Sequence, residues 1–238
     1  MRELAATLGR VERCLLPAEC LLCHAPVAET GDEPLVCGLC RSRWRPVPHP
    51  LCARCGQPEI RGVPCRLCAE WTPALGRVRS AVWLVDGARE AAHQLKYGGW
   101  WRAAGAMAEA MRGLEPLTGG VSLVPVPLGG TRLRQRGYNQ SERLARALAE
   151  RTGGRVVECL RRARETRTQT TLTPDARRQN VAGAFAAAGA VPARCVLVDD
   201  VFTTGATLAA AADALAAGGA AVIEAVTFAR AALPVVHD

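Results

Sequence analysis

Asp199 and Asp200 close an aliphatic run, and after Val201-Phe202 comes Thr203-Thr204-Gly205-Ala206-Thr207. A small, hydroxyl-rich turn that opens into a helix offers free backbone N–H groups at the positive end of the helix dipole. That is a natural seat for a phosphate, with the threonine hydroxyls as extra donors. Two carboxylates at the rim suit a ligand that also carries vicinal hydroxyls. The plainer reading is a strand-turn-helix whose acids are merely solvated. No G-x-x-x-x-G-K-[ST] segment occurs, which argues against a P-loop nucleotide hydrolase.

A second chemistry lies upstream, in four C-x-x-C pairs: Cys20/Cys23, Cys37/Cys40, Cys52/Cys55 and Cys65/Cys68. Thiolates two residues apart bite one tetrahedral ion from a tight knuckle, and prolines and glycines fill the intervals where a core would otherwise form. The expectation is about two structural zinc ions in place of disulfides. The expected pairing is first with second knuckle and third with fourth, although spacing also leaves open an interleaved cross-brace, first with third and second with fourth. A redox role for the pairs is the competing reading. His24 and His49 are spare ligands that eight cysteines do not need.

The elements that must position these groups follow from hydrophobic period. Leu4, Leu8, Val11 and Leu15 predict a short helix over 3–15, with Cys14 as a small core residue. After Glu70-Trp71-Thr72-Pro73 the pattern predicts a strand around 78–85, then a helix over 88–96 that delivers Lys96 and Tyr97 to a Gly98-Gly99 turn. Trp100 and Trp101 open a further helix, with Trp101, Ala104, Ala108 and Met111 as its core stripe. Residues 121–127 read as a buried strand leaving through a glycine-flanked loop with Arg132, Arg134 and Arg136 to a helix from Ser141. Val156-Val157 begins another strand. Residues 161–188 are a long polar loop, which in a compact domain marks a lid or disorder. Val196-Leu197-Val198 is a strand buried on both faces, Leu208–Ala217 an alanine-rich helix stopped by Gly218-Gly219, and 221–229 the last strand. Strands alternating with helices give an α/β class with a parallel sheet, preceded by a small zinc-ribbon-like module. The division is 1–76 for helix and zinc module, and 77–238 for the α/β domain.

Charge narrows the ligand. The 238-residue chain carries a formal +8, and residues 132–178 alone hold 13 arginines against 5 acids. Residues 179–238 are net negative, so the excess points to a polyanionic ligand, pyrophosphate or nucleic acid, although a solvated helix face accounts for part of it. Lys96 is the one lysine among 30 basic residues, and the two tyrosines are Tyr97 and Tyr138. In so biased a composition, such scarce types mark positions where commoner ones do not substitute. No apolar run approaches a membrane span and no secretory h-region is visible, so the expected location is the cytoplasm.

The string Val196-Leu197-Val198-Asp199-Asp200-Val201-Phe202-Thr203-Thr204-Gly205-Ala206-Thr207 resembles the 5-phosphoribosyl-1-pyrophosphate (PRPP) signature of type I phosphoribosyltransferases. The wider order of motifs resembles the ComF family of competence-associated proteins over about residues 14–230: C-x-x-C modules, L-K-Y-G, P-V-P-L, R-L-R-Q-R-G-Y-N-Q, R-R-Q-N-V-A-G-A-F, then the signature. The resemblance implies that Asp199 and Asp200 hold the ribose hydroxyls and that the 203–207 turn cradles the 5-phosphate. It implies Mg²⁺ with PRPP, a pyrophosphate contact from Arg132 and Arg136, and a mobile loop at 164–185. Lys96 and Tyr97 join the ligand-binding set. Two functions follow. One is a protein that binds PRPP or a nucleotide in this pocket and handles single-stranded DNA alongside DNA-uptake machinery; the other is an active PRPP-dependent transferase of nucleotide metabolism whose acceptor is unknown. For single-stranded DNA, the expected track is Arg41, Arg43, Arg45, Arg54, Arg61 and Arg66, with Trp44 or Trp71 as stacking surfaces.

Overall fold

Cys195, Val196, Leu197 and Val198 are all buried, and successive strand side chains face opposite ways, so both faces of this strand are covered. In the computed structural model it is β6 (Arg194–Phe202), the centre of a five-stranded sheet. The spatial order is β1 (Leu75–Trp83), β7 (Val222–Arg230), β6, β2 (Ser122–Pro125), β3 (Arg155–Val156), and every neighbouring pair is parallel. The structure describes residues 19–27, 35–164, 181 and 183–232. The helix expected at 3–15 and most of the expected lid lie outside them. Leu160–Arg162 (β4) and Phe185–Ala187 (β5), which flank that lid, form a two-stranded antiparallel ribbon.

Val196 and Val198 share one core with α2 (Asp86–Tyr97), α3 (Ala104–Met111) and α5 (Gln140–Thr152). Cys195 and Leu197 share the opposite core with α6 (Ala206–Ala217). From β2 the chain moves outward to β3, whereas from β6 it moves the other way to β7. The connections therefore diverge at the C-terminal ends of β2 and β6, where α/β sheets open a crevice for ligands.

The cysteine-rich segment clasps the β1 side of this sheet. Cys20, Cys40 and Trp44 join the core on the α2 side, and Cys55, Cys68 and Trp71 join the α6 side. Its backbone pairs with β1: Trp83 N–H donates to Arg45 O (2.8 Å), Val47 N–H to Ala81 O (3.3 Å) and Val78 N–H to Arg54 O (2.7 Å). Its one described helix is short, α1 (Gly38–Ser42), N-capped by Cys37.

Four expectations are corrected. Arg132, Arg134 and Arg136 lie on a short helix, α4 (Gly130–Arg136), ended by Gly137 in the left-handed region (φ 79°). The strand before the phosphate turn continues past the two acids to Phe202. Trp101 is 45% exposed, because residues 101–103 form a 3₁₀ turn whose tighter winding puts Trp101 out of phase with Ala104, Ala108 and Met111. Trp44 and Trp71 are buried, so neither offers a stacking surface. Among the described residues no helix is long and apolar enough to cross a membrane.

Candidate functional site

The cysteines resolve into two quartets, Cys20/Cys23/Cys37/Cys40 and Cys52/Cys55/Cys65/Cys68, within each of which the sulfur atoms lie within 4.8 Å of one another. The pairing is therefore sequential and not cross-braced. A tetrahedral zinc with Zn–S bonds of about 2.3 Å requires sulfur edges of about 3.8 Å. The observed edges include 3.7 Å for Cys23–Cys37, 3.8 Å for Cys52–Cys68 and 3.5 Å for Cys55–Cys65. Burial opposes ionisation of Cys20, yet the N–H groups of Cys37 (3.3 Å) and Leu22 (3.4 Å) outweigh it and bring the thiol down to about 6. Burial likewise opposes, and N–H groups of Cys55 and Arg54 overcome, the ionisation of Cys52, at about 7. Burial instead raises the Cys40, Cys55 and Cys68 thiols, so a bound cation is what would draw all four sulfurs of a quartet into the thiolate form; each quartet is a closed four-sulfur site of the structural kind, fitted to zinc.

The crevice at the β2/β6 divergence holds a cleft of about 710 Å³. Asp199, Asp200, Thr203, Thr207, Lys96, Tyr97, Arg132 and Arg136 all line it. Arg132 and Arg136 are four residues apart on α4, so one helix face presents both while Arg134, between them, points elsewhere. The Arg136 guanidinium lies 5.1 Å from the Tyr97 ring centroid and also donates to Gln140 Oε1.

Asp200 is 2% exposed and forms an ion pair with Lys96 Nζ at 2.7 Å. Asp199 Oδ1 accepts from Ser141 Oγ (2.8 Å) and from the Asp200 N–H (2.9 Å). Burial and the neighbouring Asp200 charge push Asp199 up to about 7, against Lys96 and these hydrogen bonds. Burial alone would lower Lys96, but Asp200 outweighs it and leaves its pKa raised. Two acids share one half-buried cation, a balance that hydroxyl donors or a divalent ion would relieve. Lys96 is thus matched to Asp200 inside the cleft.

Among the phosphate-turn residues, Gly205 takes φ 80° as N-cap of α6 and Thr204 Oγ1 accepts from Ala206 N–H at 3.4 Å. Thr203 and Thr207 face the cleft, while Gly205 and Ala206 are buried. Asn139 caps α5 through Ser141 N–H and donates to Val126 O (3.0 Å), tying the helix to the exit of β2. Tyr138 OH donates to Leu95 O beside Lys96, so this scarce tyrosine is a brace. Sequence reasoning missed Ser141 as the partner of Asp199, and missed Arg162 and Gln135 on the cleft wall. Only the basic run around Arg161–Arg164 hinted at any of these.

The comparisons agree with this geometry. Residues 11–69 match the double zinc ribbon domain, and residues 110–235 match the phosphoribosyl transferase domain. The DNA utilization protein YhgH of Escherichia coli K12 is 33% identical over 225 residues, covering 88% of this chain and 95% of the relative. Competence protein ComFC of Bacillus subtilis is 26% identical over 226 residues, covering 85% and 90%. Competence protein F of Haemophilus influenzae is 40% identical over 92 residues, 37% of this chain and 40% of that one. With a double zinc ribbon clasped to a parallel-sheet phosphoribosyltransferase domain, this chain belongs to the ComF family.

Proposed function

We propose that the cleft binds PRPP with Mg²⁺, and that the protein uses this site while handling single-stranded DNA in the cytoplasm during DNA uptake or utilisation. The carrying observation is that one cleft collects a strand-end acid pair, a hydroxyl-rich turn at a helix N-terminus, and Arg132 and Arg136 opposite. In this reading the 203–207 turn takes the 5-phosphate, and Asp199 and Asp200 accept from the ribose hydroxyls. Arg132 and Arg136 meet the diphosphate. Asp199 and Asp200 are the described carboxylates lining the cleft, so they would also face the Mg²⁺. The ion, when bound, supplies positive charge to the diphosphate oxygens. Lys96 pairs with Asp200 and holds it in place until ligand arrives.

The relatives' names, a DNA utilization protein and competence proteins, support the DNA role. Three exposed aromatics support it too: Tyr97, Trp100 and Trp101 are 66%, 48% and 45% exposed. Arg136 lies over Tyr97, and Arg143 lies 4.6 Å from the Trp101 centroid, so cationic groups and open aromatic faces sit together beside the cleft.

A transferase reading is favoured by one observation, the exposed Tyr97 ring on the cleft wall it shares with the acids, which suits an aromatic acceptor. In that case the arginines stabilise departing pyrophosphate and the acid clamp fixes the ribose. Calorimetry with Mg-PRPP on wild type and Asp200→Asn tests the site. Loss of one or two hydroxyl contacts to a charged acceptor predicts a ten- to hundredfold weakening, on the order of 1.5–3 kcal/mol. Equal affinities reject the clamp. Pyrophosphate release over a panel of bases, amines and single-stranded DNA separates transferase from binding protein.

A further inference from the structure

Trp71 follows the last cysteine of the second quartet by three residues, and its ring is the floor of the phosphate turn. Its Nε1–H donates to Thr204 O at 3.1 Å, and its ring packs edge-on to Phe202 with centroids 5.8 Å apart. A Cβ on Gly205 would fall 2.3 Å from Trp71 Cζ2, so the turn takes glycine here both for its positive φ and for the closeness of this ring. Trp71 is itself fixed to the metal ribbon. Its N–H donates to Cys68 O, and Arg54, next to Cys55, donates to Cys68 O (3.0 Å), Trp71 O (3.3 Å) and Thr72 O (2.6 Å).

A second connection reaches the same place. Arg230, fully buried at the end of β7, donates to Cys55 O (3.0 Å) and Gln57 Oε1 (2.8 Å). Its guanidinium lies 4.8 Å from the Phe202 ring, and Ala231 N–H donates to Phe202 O (2.8 Å). The first quartet differs. Trp44, from its side, packs on Phe228 at 4.9 Å, and no hydrogen bond or ring contact among the described residues joins it to 203–207.

We propose that the second zinc ribbon is part of the phosphate site: Trp71 is a positioning residue through which metal at Cys52/Cys55/Cys65/Cys68 sets the 203–207 turn, so that metal and phosphate ligand stabilise each other's binding. The first ribbon has no such coupling. Taking the ligand to be PRPP rests on the reading above; the mechanical link does not.

Two measurements on the full chain separate these. Hydrogen exchange without ligand compares wild type with Cys52→Ser/Cys65→Ser and with Cys23→Ser/Cys37→Ser. Amides of 203–209 exchange at least tenfold faster when the second quartet is emptied and are unchanged when the first is. Should a cysteine variant fail to fold, Trp71→Phe carries the test, since it keeps the ring, deletes the donor to Thr204 O and leaves both quartets intact. It retains two zinc ions, exchanges faster at 203–209 and binds Mg-PRPP about three- to tenfold more weakly. In wild type, linkage requires Mg-PRPP to slow chelator-driven zinc loss from the second quartet and not from the first. Unchanged exchange at 203–209 in Trp71→Phe, or equal protection of both quartets, overturns the proposal. Absence of PRPP binding with faster exchange in the variants overturns only the choice of ligand.

Discussion

Asp199→Asn should make the empty protein more stable at neutral pH while crippling its site. The folded-state pKa of Asp199 is raised to about 7 by burial and by Asp200, whereas an unfolded aspartate titrates near 3.9. Protonation therefore favours folding. The contribution is fully present below about pH 4 and is lost as pH rises through about 7. The full span corresponds to about 4 kcal/mol, of which about 1.4 kcal/mol falls between pH 6 and pH 8. Asparagine keeps an oxygen for Ser141 Oγ and the Asp200 N–H, the two donors on Asp199 Oδ1, and leaves Lys96 to Asp200 alone. Urea unfolding of zinc-loaded wild type and variant at pH 6, 7 and 8 reads the difference directly, because zinc-thiolate and histidine titrations cancel between the two proteins. The variant's advantage should widen with pH over this range and reach a few kcal/mol at pH 8. Parallel midpoints across the range, or a variant less stable at pH 8, would refute the reasoning.

Lys96→Met leaves buried Asp200 without its cation and should cost about 3–5 kcal/mol, against under 1 kcal/mol for an ordinary lysine at a helix end; adding Asp200→Asn should recover much of the loss by urea unfolding. Elemental analysis should find two zinc ions per chain, and chelation should lower the melting temperature of the α/β sheet itself, by circular dichroism, because Arg54, Trp71 and Arg230 bind ribbon and sheet together. An unmoved sheet transition would show the two to be independent. Single-stranded DNA should bind with a slope of log K against log salt of roughly −2 or steeper. Trp100→Ala/Trp101→Ala should weaken that binding about tenfold or more without altering the slope, whereas replacing Arg132 and Arg136 should flatten it.

The parts legible in the sequence are those set by local pattern. The aliphatic run before Asp199 demanded a strand covered on both faces, and the glycine after Ala217 demanded a helix stop. The C-x-x-C spacing picked out the eight sulfur ligands and the expected sequential pairing agrees with the quartets, but spacing alone could not exclude the cross-brace, since either pairing satisfies the same knuckles. Lys96 was conspicuous by scarcity, yet its match with Asp200 depends on α2 ending opposite β6, a tertiary fact. Trp44 and Trp71 misled for a related reason: a loop-rich ribbon has no hydrophobic period to tell an inward tryptophan from an outward one. Gly129-Gly130 disguised α4 as a loop, although the i, i+4 spacing of Arg132 and Arg136 already suited one helix face. Ser141 gave no signal at all, because a buried serine on a helix acquires meaning only from the acid it meets.

The pairing of the ribbon backbone with β1 has a consequence for the cell as well as for the site. β1 is the last strand on its side of the sheet, nine residues long. Its outer backbone groups are met by Arg45, Val47 and Arg54. A ribbon without a core of its own holds that position only while its thiolates hold metal. Loss of zinc would therefore bare a long strand edge rich in valine and arginine, the kind of edge that recruits other chains into intermolecular sheet. Metal starvation or thiol oxidation would then remove this protein by aggregation, so that its abundance, and not only its activity, would follow the zinc and redox state of its surroundings.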